Sequence, residues 1–332
     1  MANTAGDNFG IVLGAGGAVG LAYHAGVLRA LEVAGGIVPD DADLLLGTSA
    51  GSVAAAYIRS GWSTEALWQV LVGTHPSLDG LSAEEFDDRN RGILAPAFRD
   101  PFMLTRRLIG SAYVAGRSFV RLPAPWLKVP AVLQQAFPGG VFQMTEGRRR
   151  FSEELPVGWP DKALWLCAVD IDTGRRIVLG RPGRAPLASL QSAVAASCAI
   201  PGVYAPVRIG SRTLVDGGIH STTNLDVAAR AGCSVVICAA PMAYDTGGSL
   251  PSPLARMARR IPARMVVDEM EAARRKGTEV LLIRPSAGEL RIHGMNLMRR
   301  SGWELVAKAA YESAARQLET DRFRSVLRNR AA

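Results

Sequence analysis

Short apolar runs alternate with stretches of helical spacing through most of this chain. Phe9–Leu13 is an apolar run that ends in a glycine cluster, and residues 19–33 have helix-compatible spacing that stops at Gly35-Gly36. Leu44-Leu45-Leu46 predicts a second buried strand, followed by an Ala-rich helix over about 52–59. Further strands are predicted at 163–170, 176–179, 213–215, 234–239 and 280–283, and helices near 187–196, 225–231, 254–276 and 303–327. Continuous Val/Ile/Leu strands alternating with helices predict an α/β fold whose largely parallel central sheet is covered by helices on both sides. Residues 61–158 break the rhythm. They hold Trp62, Trp68, Phe86, Phe98, Phe102, Phe119, Trp126, Phe137 and Phe142 among prolines and arginines. One reading is a helical layer packed on the sheet; another is a lid or interfacial surface that meets lipid. The two are compatible.

Composition adds bounds to this pattern. The chain has 332 residues, 48% hydrophobic and 20% charged, which describes a globular protein with a substantial core, as one large domain or two small ones. Its formal net charge is +8, from 38 Lys+Arg against 30 Asp+Glu. The distribution matters more than the sum: residues 251–332 carry 17 basic and 9 acidic side chains, so the first 250 balance. Cys167, Cys198, Cys233 and Cys238 lie in apolar surroundings without CxxC or His-paired spacing, which argues against zinc and against a secreted disulfide framework. The uncharged stretches 9–28 and 185–207 are interrupted by six glycines and by three prolines with a glycine, respectively. Neither reads as a membrane span or a signal peptide, so a soluble, cytoplasmic protein is expected.

Three sites carry candidate chemistry. Gly14-Ala15-Gly16-Gly17-Ala18-Val19-Gly20 lies between a strand and a helix, where converging backbone N–H groups can hold a phosphate or an oxyanion. Gly14, Gly16 and Gly20 also form a GxGxxxG that resembles a dinucleotide fingerprint. That fingerprint wants an acidic residue at the end of the second strand, whereas Asp40, Asp41 and Asp43 precede it. Gly47-Thr48-Ser49-Ala50-Gly51 is a GxSxG at a strand–turn–helix junction, which makes Ser49 the candidate nucleophile. Val215-Asp216-Gly217-Gly218 ends an apolar strand in a carboxylate with room beside it; alone, it reads more readily as a plain turn. Among the four histidines, His220 lies four residues past Asp216, which suggests a triad member or a loop residue, and His24 reads as structural.

Together with Ala196-Ser197-Cys198-Ala199-Ile200-Pro201-Gly202-Val203-Tyr204-Ala205-Pro206, these motifs resemble the patatin-like phospholipase family over about residues 9–240. The resemblance implies a three-layer α/β/α fold and a lipid acyl hydrolase of phospholipase A, lysophospholipase or lipase type. It further implies Ser49 and Asp216 as a catalytic dyad, Gly16, Gly17 and Ala18 as oxyanion hole, and no cofactor or metal. Gly14, Gly20, Gly47, Gly51, Gly217 and Gly218 support the motifs. Ala15 interrupts a glycine run that is usually unbroken, and Val19 stands where the family commonly has Arg or Lys. The other readings are a dinucleotide-binding protein and a catalytically silent lipid-binding member of the fold.

On this reading residues 9–240 form the catalytic domain, with an insertion at about 61–158. The basic, mostly helical 241–332 completes the same domain. Its arginines read either as solvated helix faces partnered by Glu269, Glu271, Glu312 and Glu319, or as a patch drawn to anionic membrane. The expected partner is a lipid or phospholipid ester, with peripheral membrane contact open; no nucleic-acid motif accompanies the charge.

Overall fold

A computed structural model describes residues 8–76, 95–96, 101–119, 140, 142–183, 185–244 and 253–331. In chain order the elements begin with β1 (Phe9–Leu13), α1 (Gly17–Val33), β2 (Leu44–Thr48), α2 (Ala50–Arg59) and α3 (Thr64–Val72). Then come β3 (Ala95–Pro96), α4 (Pro101–Phe119), β4 (Phe142–Gln143), α5 (Thr145–Glu154), β5 (Ala163–Asp170), β6 (Arg176–Leu179) and α6 (Leu190–Ser197). β7 (Val207–Ile209), β8 (Arg212–Asp216), α7 (Leu225–Arg230), β9 (Val235–Ala239), α8 (Pro253–Arg274) and β10 (Glu279–Ile283) follow. The last helices are α9 (Ala287–His293), α10 (Trp303–Leu318) and α11 (Asp321–Ala331). The helix expected over 303–327 is therefore two helices; Thr320 bonds its hydroxyl back to Gln317 O where they part.

The chain divides into two compact units. The first contains the described residues of Met1–Asp79, Pro160–Trp165 and Ser221–Ala332, and the second those of Gly80–Trp159 and Leu166–His220.

In the first unit β10, β9, β1 and β2 pair in parallel, with Leu13 beside both Gly47 and Ala239. Ile11, Val12, Leu45, Leu46, Ile237 and Leu281 are fully buried, as strands covered on both faces require. Helix α1 packs against α10 at Gly26, where a Cβ would overlap the Ala307 carbonyl. Arg59, at the end of α2, donates to Asp40 Oδ1 at 2.8 Å and Ala42 O at 2.5 Å, which pins the approach to β2.

The second unit is built differently. β5 pairs antiparallel with β6 and β8, and β8 with β7. Only five residues join β5 to β6 and two join β7 to β8, too few for the crossover that parallel strands need. The α/β class stands, with parallel strand pairs described in the first unit and antiparallel ones from β5 to β8 in the second.

Much of the aromatic-rich stretch, including Phe86, Phe98, Trp126 and Phe137, lies outside the described residues. Half-buried Trp62 packs edge-on against Tyr57 and half-buried Trp68 against Tyr311, whereas Phe102, Leu108 and Ile109 of α4 are exposed. Among the described residues, no helix is long and apolar enough to cross a membrane.

Candidate active site

Ser49 stands between β2 and α2 with φ 54° and ψ −121°; Asn224 is the other described non-glycine residue with positive φ. Such a backbone costs of order 1–3 kcal/mol and persists only where its surroundings enforce it. Two glycines do so. A Cβ on Gly47 would come within 2.5 Å of Ser52 Cα, and one on Gly51 would overlap the Leu13 carbonyl. The turn can close this tightly only because both side chains are absent. Ser52 Oγ donates to Ser49 O at 2.6 Å, and the Ser49 side chain does not cap its own helix. Ser49 is buried at the C-terminal edge of the parallel strands, where α/β sheets place ligands.

The glycine loop follows β1 at the same edge, and a Cβ on Gly20 would lie 3.4 Å from Ala50 Cβ. Gly14 is closed in by the carbonyls of Thr222 and Ala239, and Gly17 takes φ 62°. The loop amides divide into two groups. Those of Gly14, Ala15, Val19 and Gly20 bond to Ala239 O, Thr222 O, Leu297 O and Gly16 O. Those of Gly16, Gly17 and Ala18 take no acceptor among the described residues. They are the three amides that the family resemblance implies as an oxyanion hole. Ala15 is absorbed without positive φ, because Gly17 makes the reversal and the Ala15 N–H turns to Thr222.

Side chains outside the motifs hold this edge together. His24 is fully buried and donates Nε2–H to Gly14 O at 2.7 Å; burial pushes its pKa down to about 4, so it is neutral. Asn224 donates Nδ2–H to Thr48 Oγ1 at 3.0 Å and to Ser221 O at 2.7 Å. Sequence reasoning passed over Asn224, whose one signal is its place in the polar run Ser221-Thr222-Thr223-Asn224 after the aspartate. Glu269, expected as a solvated partner for arginines, instead accepts from Thr223 Oγ1 at 2.5 Å and Leu225 N at 3.1 Å, and its burial raises its pKa. Leu297 comes from the basic C-terminal quarter: its carbonyl takes the Val19 N–H at 3.0 Å and lies 2.7 Å from where a Gly17 Cβ would be.

Asp216 belongs to the second unit. It ends β8, is buried, and accepts the Gly218 N–H on Oδ1 at 2.7 Å. Its own N–H donates to Ala199 O at 2.9 Å, so the Ala196–Pro206 run fixes the strand end. Gly217 has no room for a side chain, since a Cβ would overlap the Cys167 carbonyl. His220 follows this turn half-buried, its N–H on Gly217 O. The dinucleotide reading fares poorly: Asp43 spends its carboxylate on the Phe9 N–H at 2.7 Å, before β2 begins.

A model of the family described as patatin-like phospholipase matches residues 11–229. Uncharacterised NTE family proteins of Mycobacterium bovis and Mycobacterium tuberculosis are 27% identical over 237 residues, 70% of this chain. The chain spans about 30% of the length of these relatives. Among solved structures, VipD of Legionella pneumophila aligns with TM-score 0.42 and 13% identity, covering 94% of this chain and 67% of that one. The type III effector ExoU aligns with TM-score 0.40 and 14% identity, covering 94% and 52%.

Proposed function

Since the chain belongs to the patatin-like phospholipase family, we propose that it hydrolyses carboxylic esters of lipids through Ser49 and Asp216. The observation that carries the reading is Ser49 on its strained junction at the same sheet edge as a glycine loop with three amides that take no acceptor among the described residues. In the proposed cycle Ser49 Oγ attacks the ester carbonyl while the Asp216 carboxylate takes the hydroxyl proton. The N–H groups of Gly16, Gly17 and Ala18 stabilise the tetrahedral oxyanion, each worth about 3 kcal/mol when such donors are aimed in advance. Collapse expels the alcohol, which receives the proton from Asp216. Water then attacks the acyl-serine with the same carboxylate as base, releasing a fatty acid and restoring Ser49.

Two observations support the glycine loop in this role. Its helix, α1, starts at Gly17 with no acidic residue in the first turn, so the positive end of the helix is left for the substrate. Its conformation is also held from outside, by His24, Thr222 and Leu297.

A fluorophosphonate tests the reading directly. The folded protein is expected to be labelled at Ser49, by peptide mass spectrometry, and the Ser49→Ala variant to stay unlabelled. A folded wild-type protein that resists labelling would sink the hydrolase reading and leave a silent lipid-binding member of the family.

A further inference from the structure

Arg259 and Arg260 are adjacent on α8, a helix whose basic residues read as surface charge. Arg260 is exposed, but Arg259 is only 6% exposed. Its Nη1 donates to Pro241 O at 3.0 Å, while Nη2 is buried without a partner. Burial pulls its pKa down to about 10, which leaves it charged at neutral pH. No carboxylate pairs with it among the described residues. A guanidinium removed from water without an anion is costly, and buried cations are ordinarily paired.

Two more basic groups converge on the same place. Ala263, one turn along α8 from Arg259, packs with Leu290 of α9 and with Tyr244. His293 lies three residues beyond Leu290, so the faces that meet there carry Arg259 and His293. His293 is 1% exposed and its Nε2 has no partner. Arg299 folds back over the end of α9: its Nε donates to His293 O at 3.3 Å, and its other nitrogens hold the carbonyls of Ile292 and Ser301. The buried carboxylate of Glu289, one turn before His293, accepts the Ser286 N–H on Oε2 at 2.7 Å, leaves Oε1 without a partner, and among the described residues makes no ion pair with either arginine. Thus Arg259 and half-buried Arg299 both press electrostatically on the buried His293 imidazole, and among the described residues neither guanidinium is paired with a carboxylate.

We infer that Arg259, His293 and Arg299 form an anion site that takes a phosphate group, either free or as the head group of a lipid. A tetrahedral oxyanion offers separate acceptors to Arg259 Nη2 and His293 Nε2–H, and guanidinium forks match its geometry. The site adjoins the glycine loop. Arg259 holds the carbonyl of Pro241, whose Cγ lies 2.8 Å from where a Gly16 Cβ would be, and Arg299 shapes the turn that carries Leu297 onto Gly17. An occupant there steadies the oxyanion loop from behind. The lipid form of the ligand rests on the acyl-hydrolase reading; the anion site does not.

Thermal unfolding of the full chain, with inorganic phosphate titrated against chloride at constant ionic strength, tests the site. Saturating phosphate is expected to raise the wild-type Tm by about 3 °C or more. Arg259→Met is expected to lose the response and, without phosphate, to melt no lower than wild type, because an unpaired buried charge has gone. Arg299→Gln, which keeps Arg259, is expected to weaken the response and decides the matter should Arg259→Met not fold. A wild-type Tm indifferent to phosphate overturns the inference. Equal responses in wild type and both variants mean an adventitious ion only and overturn it too. Competition between phosphate and a soluble short-chain phosphatidylglycerol assigns the site to a lipid head group, and phosphate binding without competition assigns it to free phosphate. A phosphate response in a protein that fluorophosphonate does not label would defeat the proposed function and leave the site standing.

Discussion

Ser49 and Asp216 both stand where a strand gives way to a helical turn, yet the two junctions are built on different principles. Ser49 has a backbone that a side-chain-bearing residue resists, and it is held there by packing: Gly47 under Ser52, Gly51 on Leu13, Gly20 against Ala50. Asp216 has an ordinary extended backbone, φ −50° and ψ 131°, and a carboxylate tied to the amide two residues on. In the proposed cycle a nucleophile must be aimed at a carbonyl to within a fraction of an ångström, and a strained backbone at Ser49 suits that role. A proton acceptor needs only a fixed oxygen, which a local hydrogen bond supplies.

The largest expected effect breaks the pair on the relaxed side. Asp216→Asn keeps an oxygen for the Gly218 N–H, so its denaturation midpoint is expected to stay near wild type while ester hydrolysis falls about 10⁴-fold. Substantial remaining hydrolysis would shift the base to a histidine such as His220. Next, Gly51→Ala drives a methyl into the Leu13 carbonyl and is expected to cost about 3 kcal/mol or more in urea unfolding, with hydrolysis falling alongside. If Gly51→Ala is as stable as wild type, the elbow is not held by packing and the contrast fails.

The smallest effect sharpens the comparison through pH. His24 stays neutral in the folded protein down to about pH 4, whereas the unfolded chain takes up its proton near 6.5. The unfolded state therefore binds more protons between those values, and stability falls as pH drops through the window, by up to about 3 kcal/mol. His24→Gln is expected to flatten that part of the stability–pH curve; an unchanged slope would remove His24 as its source.

The sequence made some of this legible and hid the rest for physical reasons. β1, β5 and β6 match the expected limits, because uninterrupted apolar runs bounded by Gly or charged turns admit few other readings. Ser49 and the glycines were readable because their motifs are local. β7 escaped notice at three residues, too short to show a period. α1 begins at Gly17, two residues before the expected start, since contacts with Leu297 override the low helix propensity of glycine. Charge patterning gave no sign that Arg259 and Glu269 turn inward while their neighbours face water. Asn224 was missed because its partner, Thr48, is far away in the sequence.

That separation has a consequence for how the protein is made. The Asn224–Thr48 hydrogen bond joins residues 176 positions apart, and β1 needs β9 beside it before Gly14 finds the Ala239 carbonyl. A ribosome delivers Ser49 early, but the frame that bends its backbone arrives only after about residue 240 has emerged. Contacts of such long range form late, once the loop-closure entropy has been met. A nascent chain therefore carries Ser49 in a slack, unbent segment for most of its synthesis, and the strained junction forms only with completion of the sheet.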